Sequence, residues 1–258
     1  MIEFRQITKQ YGNGPATLQQ LSLTFAEHRF TCVLGPSGCG KSTLLNLIAG
    51  FMAPSSGQVL LQGQPVRKPG PDRGVVFQDA TLFPWMSVLD NVRFGLRQQG
   101  LDNNRSTAVA REYLALVGML PQADALPIRL SGGMRQRVAI ARILALRPKV
   151  LLMDEPFSAL DANSRERLQD ELLSICAACP TTVVYITHNV DEAAFLAERV
   201  IIMAPAPNNL HADIPLSSPR PRLRSSQEFC RITGQLRAEL DRLPCCIGVS
   251  GAKECLGR

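Results

Sequence analysis

The sequence predicts an α/β fold in which helices flank a parallel β-sheet. In the second half of the chain, short apolar runs typical of strands alternate with segments of helical periodicity. A glycine-rich loop stands directly between a predicted strand and a predicted helix, and a later apolar run ends in two consecutive carboxylates. Both patterns put polar groups at the carboxyl ends of strands, which is where open α/β sheets bind their ligands.

The N-terminal elements are predicted from residue alternation and from one apolar run. Residues 2–8 and 21–25 alternate apolar with polar side chains, which is typical of half-buried strands. Residues 30–34 form a short apolar run, which we interpret as a buried strand. From Ser42 apolar residues recur with helical spacing until Gly50, so this segment is predicted to be a helix.

The middle of the chain is predicted to be mainly helical. Residues 59–61 and 75–77 are strand candidates bounded by Gly and Pro. Residues 88–130 are predicted to form helices, because apolar side chains between Ala108 and Gly118 recur along one helical face. Further helices are predicted at 134–146, 163–176 and 190–198, and further strands at 150–153, 181–186 and 199–203.

The chain changes character after Ala204, where five prolines occur within seventeen positions. We therefore predict a main domain over residues 1–204 and a Pro-rich, irregular linker after it. One short amphipathic helix is expected beyond the linker, because Phe229, Ile232, Leu236 and Leu240 recur every three or four residues. The whole segment 205–258 is thus expected to be linker, short helix and flexible tail.

The composition excludes several classes of protein. At about 150 residues per domain, 258 residues correspond to one or two domains. Hydrophobic residues make up 45% and charged residues 19%, which is far from the signature of a disordered chain. No apolar run approaches the roughly 18 residues of a membrane helix, so any membrane role is expected to be peripheral.

Cysteine usage and charge point to a cytosolic protein that does not bind nucleic acid. The N-terminus lacks a basic segment followed by an apolar one, so no secretory signal is expected. The 8 cysteines should remain thiols, and they lack the spacing of a zinc site. Half of the net charge of +6 falls in residues 205–258, so the main body carries no basic stripe.

The loop at residues 35–42 has the pattern G-x-x-x-x-G-K-[ST], and it lies between a predicted strand and a predicted helix. Glycines let successive backbone N–H groups face an anion, and the helix N-terminus adds partial positive charge. The pattern predicts that Lys41 reaches the outer phosphates of a nucleoside triphosphate and that the Ser42 hydroxyl binds Mg²⁺. The ATP-binding residues are predicted to be Gly35, Pro36, Ser37, Gly38, Cys39, Gly40, Lys41, Ser42 and Thr43.

The apolar run at 150–153 ends in Asp154 and Glu155. On a buried parallel strand both acids would lie at the carboxyl edge, beside the phosphate loop. Asp154 is expected to hold Mg²⁺, and Glu155, directed to the other side, is expected to act as the general base on a water in line with the γ-phosphate.

The segment from Leu130 to Arg137, with sequence LSGGMRQR, resembles the signature of ATP-binding cassette (ABC) proteins, and the resemblance spans about residues 1–204. It implies a P-loop NTPase (RecA-like) core with a parallel sheet, an N-terminal antiparallel β subdomain and an inserted α-helical subdomain near 88–130. It also implies that Ser131, Gly132 and Gly133 bind the γ-phosphate of ATP held by a second subunit, so that two such chains, most simply identical, form a dimer.

Two positions depart from the usual pattern of the family. Met134 stands where the family usually carries Gln, and Ile143 stands where many members have Ala. Because the backbone amides and the Ser131 hydroxyl do not depend on the Met134 side chain, we expect ATP binding to survive the first departure.

Further residues match the family in order along the chain. Tyr11 resembles the aromatic residue that stacks on adenine, although an exposed loop tyrosine is the alternative. Gln78 resembles the glutamine that reaches Mg²⁺ and the attacking water. His188 resembles the switch histidine that contacts the γ-phosphate and orients Glu155, with a purely structural role as its alternative. The loop that crosses the dimer interface is matched by Ser158, Ala159, Leu160 and Asp161.

The segments at 71–79 and 82–85 are similar to those of importer ATPases of the nitrate, sulfonate and taurine group. The resemblance implies an ATP-hydrolysing subunit on the cytoplasmic face of the cell inner membrane, with separate transmembrane permease subunits and, indirectly, a periplasmic or extracellular solute-binding protein. Phe83, Trp85 and Met86 either receive a permease helix or fill the helical subdomain. A soluble ABC ATPase acting on DNA repair, translation or cell division is the alternative function.

Overall fold

A computed structural model describes residues 1–158, 160–178 and 181–243 of the chain. Its ten strands form two sheets, one of six strands in the order β10-β9-β3-β8-β7-β6 and one of four in the order β2-β1-β4-β5. The strands are β1 (Ile2–Gln10), β2 (Ala16–Phe25), β3 (Phe30–Leu34), β4 (Ser56–Leu61), β5 (Gln64–Pro65), β6 (Arg73–Val76), β7 (Val150–Asp154), β8 (Thr182–Ile186), β9 (Arg199–Met203) and β10 (Leu210–Pro215).

Helices cover both faces of the six-stranded sheet and complete the α/β architecture predicted from the sequence. They are α1 (Lys41–Ala49), α2 (Val88–Gln98), α3 (Asn103–Leu116), α4 (Gly132–Leu144), α5 (Ala162–Ala178), α6 (Val190–Leu196) and α7 (Gln227–Asp241). Short 3₁₀ turns occur at Leu120–Gln122 and Pro127–Arg129.

The six-stranded sheet separates two hydrophobic cores. Alternate side chains of β7 enter different cores: Leu151 and Met153 pack with the helices, whereas Val150 and Leu152 pack with α1 and the antiparallel sheet. All five residues of β3 and all five of β8 are buried, as expected for strands covered on both faces. The central strands pair in parallel, so their carboxyl ends meet at one edge.

The segment predicted to be helical at 88–130 contains α2, α3 and both 3₁₀ turns. Ser87 caps α2 and Asp102 caps α3, because each side chain accepts a hydrogen bond from a backbone N–H of the first turn. Helix α4 packs against both of these helices, so the helical layer includes the segment that follows residue 130.

The prediction of an irregular linker after Ala204 is wrong for Leu210–Pro215, which forms β10 and pairs antiparallel with β9. Pro215 is the last residue of this edge strand, where its missing N–H interrupts no row of hydrogen bonds between strands. The sequence-derived helix exists as α7, but Ile232 and Leu236 are buried in the same core as the sheet. β10 and α7 therefore pack onto the main body, and the tail predicted to end the segment 205–258 falls on residues 244–258, which lie outside the described residues.

The described part of the chain contains no helix long and apolar enough to span a bilayer. Within the same residues Cys32, Cys39, Cys176 and Cys230 form no disulfide.

Truncating a buried side chain of α7 tests whether the C-terminal helix belongs to the main cooperative unit. Leu236 is fully buried, so we expect Leu236→Ala to lower the free energy of unfolding by roughly 2–5 kcal/mol. Urea denaturation followed by circular dichroism measures the change. Gln235→Ala on the exposed face of the same helix is the control, with an expected effect of about 0.5 kcal/mol or less. Equal stability of the two variants would show that α7 is dispensable for the fold.

Candidate phosphate-binding and hydrolysis site

The glycine-rich loop leaves the carboxyl end of β3 and enters α1. Gly35 has no room for a side chain, because a Cβ there would lie 2.5 Å from the carbonyl oxygen of Met203. Gly40 has φ +100°, a conformation that side chains rarely tolerate, and a Cβ there would approach Leu18 to 2.7 Å. The loop can therefore follow its tight path only with glycine at these two positions.

The start of α1 presents free backbone donors to the loop. Gly40 supplies no side-chain cap, and the first main-chain hydrogen bond of the helix runs from the Leu44 N–H to the Gly40 carbonyl oxygen at 2.8 Å. The N–H groups of Lys41, Ser42 and Thr43 therefore precede the first helical hydrogen bond. Such a helix N-terminus is an anion site, and it suits the phosphate chain predicted from the sequence.

The Lys41 ammonium lies inside the loop rather than in solvent. Its side chain is buried, and Nζ donates hydrogen bonds of 2.8 Å to the carbonyl oxygens of Gly35 and of Pro36. These bonds hold a positive charge beside the free N–H groups of α1, where a phosphate oxygen could replace one of the carbonyls.

Asp154 ends β7, and its carboxylate interacts with the Ser42 hydroxyl at the start of α1. Burial is the largest influence and raises the pKa of Asp154; the adjacent Glu155 raises it further, while Ser42 and Lys41 oppose the shift. A carboxylate paired with a hydroxyl is the oxygen donor set that Mg²⁺ uses beside nucleotide phosphates, so the residues present fit this ion.

Glu155 and His188 meet across the ends of two neighbouring strands. The Nδ1 atom of His188 lies 3.0 Å from Oε1 of Glu155, with the histidine side chain 65% exposed and the glutamate 24% exposed. Glu155 has φ +45°, uncommon for a residue with a side chain, and its N–H donates to the Ile186 carbonyl. This turn ends the strand and directs the Glu155 side chain towards His188.

Tyr11 lies beside the phosphate loop. Its hydroxyl is 3.1 Å from Oγ1 of Thr43 and 3.3 Å from the sulfur of Met52. The ring is about half exposed, and Nζ of Lys9 lies 5.4 Å from the ring centroid. A flat, exposed ring next to the loop is in a position to stack on a base.

Gln78 is exposed and follows β6 by two residues, because the strand ends at Val76 rather than at Phe77 as predicted. It lines a small cavity together with Gly132, Pro156 and Leu160. The buried side chain of Gln136 donates to the Phe77 carbonyl at 3.3 Å and so joins this loop to α4. The structure thus brings Gln78 between the carboxylate strand and the signature segment.

The signature segment forms the N-terminus of α4. Ser131 is the cap, and its Oγ accepts a hydrogen bond from the Met134 N–H at 3.3 Å. A Cβ built at Gly132 or Gly133 would lie 3.9 or 3.8 Å from Leu160, which is ordinary van der Waals contact, so packing within the chain does not require glycine at either position. The unusual Met134 side chain packs against the hydrophobic core.

The loop after Glu155 is held by hydrogen bonds at both ends. The Ser158 hydroxyl donates to the Glu155 carbonyl at 2.9 Å. Asp161 accepts the Ser164 N–H at 2.9 Å, and this hydrogen bond lowers the pKa of the Asp161 carboxyl. Arg165 donates to the Leu160 carbonyl at 2.9 Å. Ala159, also predicted for this loop, lies outside the described residues.

One buried acid near this site is not predicted by any pattern in the sequence. Glu192 is 5% exposed and accepts hydrogen bonds from Tyr185 at the end of β8 and from Thr187, which directly precedes His188. Burial of the Tyr185 phenol is the largest cause that raises the pKa of Tyr185 well above the ordinary tyrosine value, and the Glu192 carboxylate raises it further. The sequence offered only a helical carboxylate four positions after a histidine, which has no specific meaning by itself.

The aromatic segment after Gln78 divides into a packed part and an exposed part. The Phe83 ring packs against the Phe94 ring at 4.8 Å between centroids and beneath the Arg142 guanidinium at 5.5 Å. Trp85 lies 5.8 Å from the Phe83 ring but is 72% exposed. Phe83 therefore helps to fill the helical layer, whereas Trp85 presents its ring to the outside.

The comparisons with known proteins converge on one family. A family model described as "ABC transporter" matches residues 18–158. The chain is 47% identical over 215 residues to the nitrate import ATP-binding protein NrtD of Synechococcus elongatus, with 81% of this chain and 78% of that protein covered. It is 45% identical over 239 residues to the taurine import ATP-binding protein TauB of Rhizobium johnstonii, with 90% and 91% covered.

One solved structure is similar to the chain in both fold and sequence. It is a dimeric ATP-binding cassette in a post-hydrolysis state, bound to ADP and Pi, with a TM-score of 0.73 and 30% sequence identity. The match covers 84% of this chain and 100% of that one.

The raised pKa of Asp154 makes a prediction about stability. The folded protein binds the proton of the Asp154 carboxyl more strongly than the unfolded chain does. The free energy of unfolding therefore falls as the pH rises above the ordinary pKa of Asp and this carboxyl ionises. Asp154→Asn removes this decrease and keeps an acceptor for Ser42. Without nucleotide or Mg²⁺, we expect its melting temperature to exceed that of the wild type at pH 8, by a margin that shrinks towards about pH 4.

Scanning fluorimetry across this pH range measures the margin, and Asp213→Asn is the matched control of opposite sign. The hydrogen bond from Arg199 lowers the pKa of Asp213, so this variant should be less stable than the wild type at pH 8. A melting-temperature margin of Asp154→Asn over the wild type that shrinks as the pH rises from about 4 to 8 would contradict the proposed cost of burying the ionised carboxylate.

Proposed function

Because this chain belongs to the ABC transporter family and is an ATPase, we propose that it is the subunit that powers a binding-protein-dependent importer. The observation that carries the proposal is the convergence of the phosphate loop, Asp154 and the Glu155–His188 pair at one sheet edge. Identities of 45% and 47% to taurine and nitrate import proteins support import as the direction. We propose nitrate, taurine or an alkanesulfonate as the solute.

The phosphate chain of ATP would bind at the start of α1. The N–H groups of Lys41, Ser42 and Thr43 face the anion, and the Lys41 ammonium exchanges a loop carbonyl for an outer phosphate oxygen. Ser42, Asp154 and Gln78 would hold Mg²⁺, which neutralises charge on the β- and γ-phosphates. The buried Asp154 then gains a partner that favours its ionised form.

Glu155 and His188 would prepare the attacking water. The Glu155 carboxylate accepts a proton from that water, while His188, 3.0 Å away, holds the carboxylate in orientation and faces the γ-phosphate. Phosphoryl transfer depends mainly on placement and charge neutralisation, so a misplaced Glu155 would lose most of the rate.

A second copy of the subunit would complete the site. Ser131, Gly132 and Gly133 form a second helix N-terminus, which is suited to the γ-phosphate of ATP on a partner subunit. The related cassette of known structure is dimeric and bound to ADP and Pi, which supports a dimer here. ATP would then hold the dimer together, and hydrolysis would release it.

Trp85 and its neighbours would receive the transmembrane permease. An exposed indole beside the packed Phe83 and Phe94 rings offers an apolar anchor for a helix of the partner. The subunit would accordingly act peripherally on the cytoplasmic face of the inner membrane. No observation favours the alternative of a non-transport ABC ATPase, whose partners would be soluble or nucleic acid.

Glu155→Gln tests the hydrolysis site. The amide keeps the shape of the side chain but cannot take the proton, so we expect ATP hydrolysis to fall at least about 100-fold while ATP binding persists. A stable ATP-bound dimer should then appear in size-exclusion chromatography. Phosphate release assays and fluorescent-nucleotide titration measure rate and affinity.

Two further variants serve as controls for this experiment. Glu166→Gln changes an exposed acid on α5 and should leave hydrolysis unchanged. Lys41→Ala should weaken ATP binding itself, because it removes the buried ammonium from the loop. Full hydrolysis by Glu155→Gln would refute the assigned general base.

Trp85→Ala tests the permease surface. Wild-type tagged protein recovered from gently solubilised membranes should bring a multi-helix permease with it, identified by mass spectrometry. Loss of an aromatic side chain that becomes buried in an interface weakens the binding free energy by about 2 kcal/mol or more. The variant should therefore bind that permease about 30-fold more weakly. Its basal ATP hydrolysis should not change.

Leu223→Ala, at another strongly exposed apolar residue, is the matched control and should bind the permease normally. Recovery of ribosomes, nucleic acid or only soluble partners with the wild type would favour the non-transport alternative.

A further inference from the structure

A buried carboxylate lies behind the turn that carries His188. Glu192 is 5% exposed, and its two oxygens accept hydrogen bonds from three side chains. The donors are the Thr187 hydroxyl at 2.6 Å, the Tyr185 hydroxyl at 3.1 Å and the Gln169 amide at 3.3 Å. A buried charge with several donors has one preferred geometry, because each donor left unpaired costs free energy.

Glu192 is connected to both residues that flank His188, through its carboxylate on one side and through its backbone N–H on the other. Thr187 precedes the histidine, and its hydroxyl also accepts the Asn189 N–H at 3.0 Å. Asn189 follows the histidine, and its side chain accepts the N–H of Glu192 at 3.3 Å. The residues flanking His188 are therefore tied to Glu192, while the imidazole itself remains exposed and contacts Glu155.

The same carboxylate is connected to the loop that follows Glu155. The Arg165 guanidinium lies 3.7 Å from Oε1 of Glu192. It also donates to the carbonyl oxygens of Phe157 at 3.3 Å and Leu160 at 2.9 Å. One ion pair thus joins the turn carrying His188 to the loop predicted to cross the dimer interface.

We propose that Glu192 and Arg165 are positioning residues, which hold His188 against Glu155 and keep the turn in register with the 157–161 loop. The inference rests on the roles given above to Glu155 and His188. Among the described residues, Glu192 has no hydrogen bond or ion pair with the phosphate loop or with the Glu155 carboxylate, and its most direct route to the reacting groups runs through Thr187 and His188. A displacement of about 1 Å at the reacting groups can cost on the order of 100-fold in rate.

The first experiment separates positioning from binding in the full-length protein. Glu192→Gln keeps one acceptor oxygen and places an NH2 group opposite donors, either Thr187 and Tyr185 or Gln169 and Arg165, so we expect kcat for ATP hydrolysis to fall about tenfold or more. KM for ATP should change less than about twofold, because the phosphate loop is untouched. Glu198→Gln, which alters another partly buried carboxylate hydrogen-bonded to the Phe30 N–H and to Arg220, should keep both constants.

The second experiment shows whether the effect passes through the histidine. In single-turnover assays, Glu192→Gln should lower the rate strongly in the wild-type background and hardly at all in a His188→Ala background. Equal losses in both backgrounds would mean that Glu192 serves only the fold, and the inference would be overturned.

A variant pair at Thr187 covers the case in which Glu192→Gln fails to fold. Thr187→Val removes the hydroxyl that donates to Glu192 and should reproduce the loss of kcat, whereas Thr187→Ser keeps the hydroxyl and should restore it. Wild-type kcat in both Glu192→Gln and Thr187→Val, with Glu155→Gln inactive, would overturn this inference alone. Full activity of both Glu155→Gln and His188→Ala would overturn the proposed site as well.

Discussion

The parallel pairing of β3, β8 and β7 is the constraint on which the candidate site depends. Val33 pairs with Ile186, and Ile186 pairs in turn with Asp154, so three strands end at the same level. The phosphate loop follows β3, the Asp154–Glu155 pair closes β7, and His188 follows β8. Because the strands are buried on both faces, a slip of one residue would exchange the two cores, and the register is therefore strongly determined.

The charged groups at this edge of the sheet have different partners. Lys41 and the N–H groups of α1 supply positive charge at the phosphate loop, and the Asp154 carboxylate interacts with Ser42 at the start of the same helix. Glu155 contacts His188 at a more exposed position, whereas Glu192 is buried and accepts hydrogen bonds from its own donors. Each acid thus has a distinct environment, which is how neighbouring carboxylates on one scaffold take different roles.

The C-terminal segment supports the same region from outside the core strands. Arg222 is buried and donates hydrogen bonds to the carbonyl oxygens of Ala194 and Ala197 at the end of α6. Arg224 stacks on the Phe195 ring and donates to Gln169, which itself contacts Glu192. Helix α6 follows directly after His188, so β10, α7 and this arginine segment form part of the framework of the site rather than an appendage.

Local periodicity in the sequence was enough to predict the α/β class and the buried strands, and glycine and lysine at set spacing were enough to predict the loop between β3 and α1. The sequence also predicted Asp154, Glu155 and His188 at strand ends, where parallel pairing must bring them together. The pairing of Leu210–Pro215 with the sheet was not predictable, because a short edge strand among prolines is stabilised by its neighbour β9 rather than by its own residue pattern. The role of Glu192 was likewise not predictable from the sequence, because it depends on hydrogen bonds from Thr187, Tyr185 and Gln169, which come close to its carboxylate only in the folded protein.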